Sequence, residues 1–72
     1  MKIQEAIDIL EKGGFITVSF GSMSMSYEIG DKHSSNRITE NFYNKIKAKY
    51  PNRWEIDVLF VGITKQYHKL KP

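Results

Sequence analysis

The stretch Phe15–Ile29, FITVSFGSMSMSYEI, folds onto itself about the pair Gly21-Ser22. A Gly-first two-residue loop suits a type II′ hairpin turn. Phe20 then faces Met23, Val18 faces Met25 and Ile16 faces Tyr27. These six side chains share one face, because successive residues of a strand point to opposite sides. On the other face Ser19 meets Ser24, Thr17 meets Ser26 and Phe15 meets Glu28. A slip of one residue would turn the apolar set into water, so the pattern specifies which face is the core. The hairpin therefore presents one apolar face and one face of serine and threonine.

Outward from this hairpin the chain is easily divided. Upstream, Ile3, Ala6, Ile7 and Leu10 recur at i, i+3, i+4 and i+7, which predicts a helix over Lys2 to Lys12. Gly13-Gly14 stops it, since glycine enters the left-handed cap conformation without a steric penalty. Downstream, Gly30 to Arg37 (GDKHSSNR) reads as a loop on composition. A second helix follows over Ile38 to Tyr50, with Ile38, Phe42, Ile46 and Tyr50 four apart and Tyr43 beside them. Asn36 or Thr39 is its candidate N-cap, and Glu40 suits the positive end of the helix dipole. Pro51 ends it, because the residue before a proline avoids helical geometry.

Trp54 to Thr64 is rich in β-branched and aromatic residues and predicts a third strand. Trp54, Ile56, Val58 and Phe60 alternate with Glu55 and Asp57, and then Leu59, Val61 and Ile63 are apolar too. Burial on both faces in a central strand explains this, and so does a bulge near Gly62. Residues 65–72, KQYHKLKP, form a basic tail, either flexible or extending that strand.

The expectation is a single α+β domain over residues 1–72. It is a two-layer sandwich of order α-β-β-α-β, with a three-stranded mixed or antiparallel sheet and two helices on one face. Strand 3 lies either parallel beside strand 2 or antiparallel beside strand 1.

A 72-residue chain buries a modest share of its surface, and without cysteine it has no disulfide staple and no thiolate metal site. A homodimer is one way such a small core gains stability. The net charge of +3 is uneven: residues 1–31 carry two lysines against five acids, whereas residues 32–72 carry nine Lys and Arg against three acids. Such asymmetry is a cue for a basic interaction surface. Glu5 and Asp8 interrupt the N-terminal apolar pattern that a secretory signal needs, and the run Val58–Val61 is too short to span a bilayer. A cytoplasmic protein without a membrane partner is expected.

No catalytic signature is present. His33 and His68 lack neighbouring acids at metal-ligand spacing, so no metal and no cofactor is expected. Glu55 and Asp57 share a strand face, where a solvated pair is the simpler reading than acid–base chemistry. The run Leu10–Ile29, LEKGGFITVSFGSMSMSYEI, resembles the start of HicA-type toxin ribonucleases. Those have a helix, a Gly-Phe step, a strand, a Gly-Ser turn and a second strand, on a small double-stranded-RNA-binding-like fold. Their catalytic histidine follows the Gly-Ser; here that position is Met23, so the resemblance carries no ribonuclease activity to this chain. The long final strand after the second helix departs from that family as well.

Two surfaces remain as candidates. The first is the hydroxyl face, Thr17, Ser19, Ser24 and Ser26: flat, uncharged and low in side-chain entropy, which suits contact with a protein or with another copy. Its alternative is a plain solvated sheet face. The second is basic and aromatic: Lys45, Lys47, Lys49 and Arg53, with Lys65 and Lys69 in the tail. Such cations neutralise phosphates while Tyr or Trp stacks on bases; the alternative is an ordinary helix exterior. The expected function is a small non-enzymatic protein-binding module. Its general style resembles the inhibitors and accessory proteins with which phages and mobile elements act on host proteins. The alternative is a nucleic-acid-binding protein that uses the basic, aromatic C-terminal half.

Overall fold

The structure is a computed structural model that describes residues 1–21, 23–61 and 63–71. Its elements are α1 (Ile3–Glu11), β1 (Phe15–Phe20), β2 (Met25–Gly30), β3 (Ser35–Ile38), α2 (Glu40–Lys49), β4 (Trp54–Val61) and β5 (Ile63–Leu70). The strands form one antiparallel sheet in the order β3-β2-β1-β5-β4. This overturns the three-stranded α-β-β-α-β expectation, which missed two strands. The helix α2 carries the chain from one sheet edge, β3, to the other, β4, and no strand is parallel to its neighbour.

The first helix forms as its period dictates. Ala6 and Leu10 are buried, with Ile3, Ile7 and Ile9 half-buried beside them. Gly13 takes φ +96°, which a side chain would strain, and this turns the chain into β1. Gly14 is buried so tightly against Ile9 and Gly30 that it has no room for a Cβ.

The hairpin forms, but in a different register. Phe20 pairs with Met25, Val18 with Tyr27 and Ile16 with Ile29, two residues beyond the expected partners. The connection therefore includes Met23 and Ser24, and the Gly21 N–H donates to the Ser24 carbonyl at 2.8 Å. A shift of two keeps every side chain on its expected face, so apolar alternation alone cannot distinguish the two pairings. The observed one sets Ile29, wholly buried, against Ile16 and leaves Met23 95% exposed. The two-residue turn expected at Gly21-Ser22 rests on Ser22, which lies outside the described residues.

Residues expected as loop include β3. Asp31 Oδ1 accepts from the backbone N–H groups of His33 at 2.8 Å and Ser34 at 3.0 Å. Those two N–H groups hold its carboxyl below the usual range. The Asp31 N–H donates to the Ser34 carbonyl, and the chain returns against β2 with Ile38 opposite Tyr27. An exposed edge strand needs no apolar alternation, so Ser35, Asn36 and Arg37 gave no strand signal. Ile38 belongs to β3, and α2 starts later than expected. Its N-cap is Thr39, whose Oγ1 accepts from the Phe42 N–H at 3.1 Å.

The second missed strand is β5, residues 63–70, which lies between β1 and β4. Its core-facing positions include Gln66 and His68, and these polar residues concealed it. The two-sided burial of Leu59, Val61 and Ile63, and the bulge at Gly62, concern side chains and a residue outside those described.

Both helices pack on one face of the sheet. The core is Ala6, Leu10, Ile16, Val18, Tyr27, Ile29 and Ile46, with Phe42, Tyr43, Trp54 and Leu70 among the half-buried residues packed around it. No helix of the described residues is long and apolar enough to cross a membrane.

Candidate functional site

Cross-strand partners share a face, so the pairings define rows across the sheet. Beneath the helices one row runs Ile38, Tyr27, Val18, Gln66, Val58, and the next Asn36, Ile29, Ile16, His68, Ile56. The apolar centre of each row is buried. At the β4 end the covering ceases, and Ile56 and Val58 are 48% and 46% exposed.

The opposite face is open. Its central row runs Arg37, Glu28, Thr17, Tyr67, Asp57, and beside it Ser26, Ser19 and Lys65 stand in line. Phe15 and Tyr67 meet edge-to-face with ring centroids 5.6 Å apart, across β1 and β5. On β5, Lys65 and Lys69 flank Tyr67, and Lys69 pairs with Glu55 of β4. Thr17, Ser19, Ser26, Phe15 and Tyr67 are half-buried by their neighbours.

The residues singled out from the sequence are thus redistributed. Thr17, Ser19 and Ser26 share the open face, whereas Ser24 lies in the β1–β2 connection. Lys65 and Lys69 join the hydroxyl face through β5. Lys45 and Lys49 are exposed on α2 in the other layer. Arg53 lies between α2 and β4, paired with Glu11 at 3.5 Å and donating to the Lys71 carbonyl at 3.2 Å. The six cations therefore form no single phosphate-facing surface. Sequence reasoning did not place Phe15, Tyr67 and Arg37 in the site. The two-residue period of KQYHKLK, with Lys65, Tyr67 and Lys69 in phase, was the available signal.

Lys47 points inward. Its ammonium lies 4.3 Å from the Trp54 ring centroid and 5.9 Å from that of Tyr43. It donates to His68 Nδ1 at 2.9 Å, while His68 Nε2 donates to Gln66 Oε1 at 3.0 Å. A lysine ammonium can only donate and an amide oxygen can only accept, so these two bonds select the neutral Nε2–H tautomer. Burial, and then the Lys47 charge, push the His68 pKa down to about 4. Burial also lowers that of Lys47. Tyr43, stacked on Tyr27 at 4.6 Å, is raised by burial and then by the Tyr27 hydroxyl. Its Lys47, His68 and Gln66 side chains are joined by hydrogen bonds, and it closes the helical layer over β5.

Among the described residues no three His, Asp or Glu side chains come together to hold a metal ion. Met23, at the position of the HicA-type catalytic histidine, projects from the hairpin connection into solvent. No family model matches the chain, and neither a curated protein nor a solved structure does.

Proposed function

We propose that the chain is a protein-binding module and that the open sheet face, centred on Phe15, Thr17 and Tyr67, is its contact surface. The observation that carries this reading is the composition of that face. It combines two aromatic rings with Thr17, Ser19 and Ser26 and a balanced set of charges. Arg37, Lys65 and Lys69 stand against Glu28, Glu55 and Asp57. Tyrosine and phenylalanine supply contact area at low entropic cost, and short hydroxyls adapt their hydrogen bonds to a partner.

The same balance counts against the nucleic-acid alternative for this face. Three carboxylates among three cations, with Asp57 directly opposite Tyr67, weaken attraction to a phosphate backbone. The helical layer offers Lys45 and Lys49, but Lys47 between them is engaged with His68 and Trp54.

Fluorescence anisotropy with labelled single- and double-stranded DNA and RNA, over a series of salt concentrations, separates the two readings. A protein-binding module shows no tight, salt-steep binding. Micromolar affinity that falls steeply with salt overturns the proposal and assigns the chain to phosphate recognition.

A further inference from the structure

We propose that β4 is a self-association edge, through which two copies join antiparallel to make one continuous ten-stranded sheet. The sheet has two edges of very different character. β3 is four residues long, and it carries Arg37. β4 is eight residues long and carries Ile56 and Val58 about half exposed on the helix side. Natural proteins blunt a free edge by shortness, charged side chains (lysine above all), proline or a covering segment. β3 has the first two of these, being short and carrying Arg37, whereas β4 is long, contains neither lysine nor proline, and has Glu55 and Asp57 as its only charges, both on the open face.

The pattern along β4 selects a second copy as the occupant. Opposed residues of an antiparallel pair share a face, so a symmetric pairing must be centred on a residue. Centring on Asp57 sets Asp57 against Asp57 of the second copy. Centring on Ile56 sets Glu55 against Asp57. Centring on Val58 removes both repulsions: Asp57 falls opposite position 59 and Glu55 opposite position 61, neither of them acidic. This register uses all but the first residue of the strand and places the two Val58 residues together.

Charge supports the same arrangement. Position 59 pairs with Lys65 of β5 inside its own sheet. Lys65 therefore stands two strands, roughly 10 Å, from Asp57 of the second copy, a span that the two side chains together bridge. The two-fold axis stands perpendicular to the sheet, so both open faces point the same way. The contact uses the β4 edge and leaves Phe15, Thr17 and Tyr67 accessible.

Sedimentation velocity of the full chain from micromolar to millimolar concentration tests this. The wild type is expected to pass from monomer to dimer. Val58→Lys, a half-exposed edge position where lysine costs the monomer little, is expected to weaken association by about tenfold or more, with the circular dichroism spectrum unchanged. Ile56→Lys is the second variant. Hydrogen exchange on the wild type gives an independent reading, because β4 amides become more protected as concentration rises. A wild type monomeric throughout overturns the inference. So does a dimer that Val58→Lys leaves intact, or one whose β4 amides gain no protection.

Discussion

The Lys47 ammonium stands 2.9 Å from Nδ1 of His68, a histidine only 3% exposed. A cation beside a buried imidazole fixes its protonation state. A second proton on the ring would replace a donated hydrogen bond with two like charges in contact. The ring therefore stays neutral in the folded chain down to about pH 4. Lys47 in turn lies against the Trp54 face, so one α2 side chain links β4, β5 and the helical layer.

Stability should fall with pH through this pair. In the unfolded chain the histidine has its ordinary pKa of about 6.5, so between roughly pH 6.5 and 4 the unfolded state binds the extra proton. Thermal melts should show a fall in Tm as pH drops from 7 through 6.5, and most of the His68 contribution gone by pH 4. A Tm that stays flat across this window rules out a buried neutral His68.

Removing the cation should move the ring. In Lys47→Met the like charge disappears while the burial stays. The His68 pKa should therefore rise from about 4 yet remain below 6.5, because burial is the larger cause. Titration of the imidazole proton resonances reads this directly; an unchanged value would remove Lys47 from the account.

The core prediction concerns Ile16, which is wholly buried between Ile29 and His68 in the sheet. Ile16→Ala should cost about 2–5 kcal/mol, enough to unfold a marginal domain of this size at moderate temperature. Ile56→Ala, at a half-exposed position, should cost much less. Denaturant melts of both variants make the comparison, and equal losses would contradict the observed placement of β4 outside the helical cover.

Gly14 gives a sharper steric test. A Cβ there would stand 2.5 Å from Ile9 Cγ2, 2.7 Å from the Ile9 carbonyl oxygen and 2.9 Å from that of Gly30. Two of these atoms are backbone and cannot swing away. Gly14→Ala should destabilise by about 1–3 kcal/mol, in contrast to the usual gain from replacing an unstrained glycine. A stabilised variant would mean that α1 and β2 do not approach as described.

The parts of this fold that bury apolar side chains at a regular period were legible in the sequence. The Ile3–Leu10 stripe and the two faces of the hairpin follow from spacing, while the Thr39 cap was one of two candidates, beside Asn36. What escaped was polar. Nothing apolar marks Ser35–Arg37, because an edge strand exposed to solvent has no buried face to encode. Gln66 and His68 face the core from β5, where they bond each other, and Lys47, distant in sequence, bonds the remaining ring nitrogen of His68. The register slip of two residues escaped for a different reason: period-two alternation is unchanged by it. The candidate site was legible in halves. Thr17, Ser19 and Ser26 announced a hydroxyl face, while Tyr67, Lys65 and Lys69 joined it only when β5 paired with β1.

The most direct test of the open face is quantitative mass spectrometry of proteins recovered with the tagged chain from its native cells. The wild type is compared with Thr17→Arg and with the double variant Lys45→Glu, Lys49→Glu, after all three are shown to be folded. Specific protein partners are expected that Thr17→Arg loses and the double variant keeps. Partners that survive Thr17→Arg but vanish with the double variant would contradict it and move the contact to the helical layer.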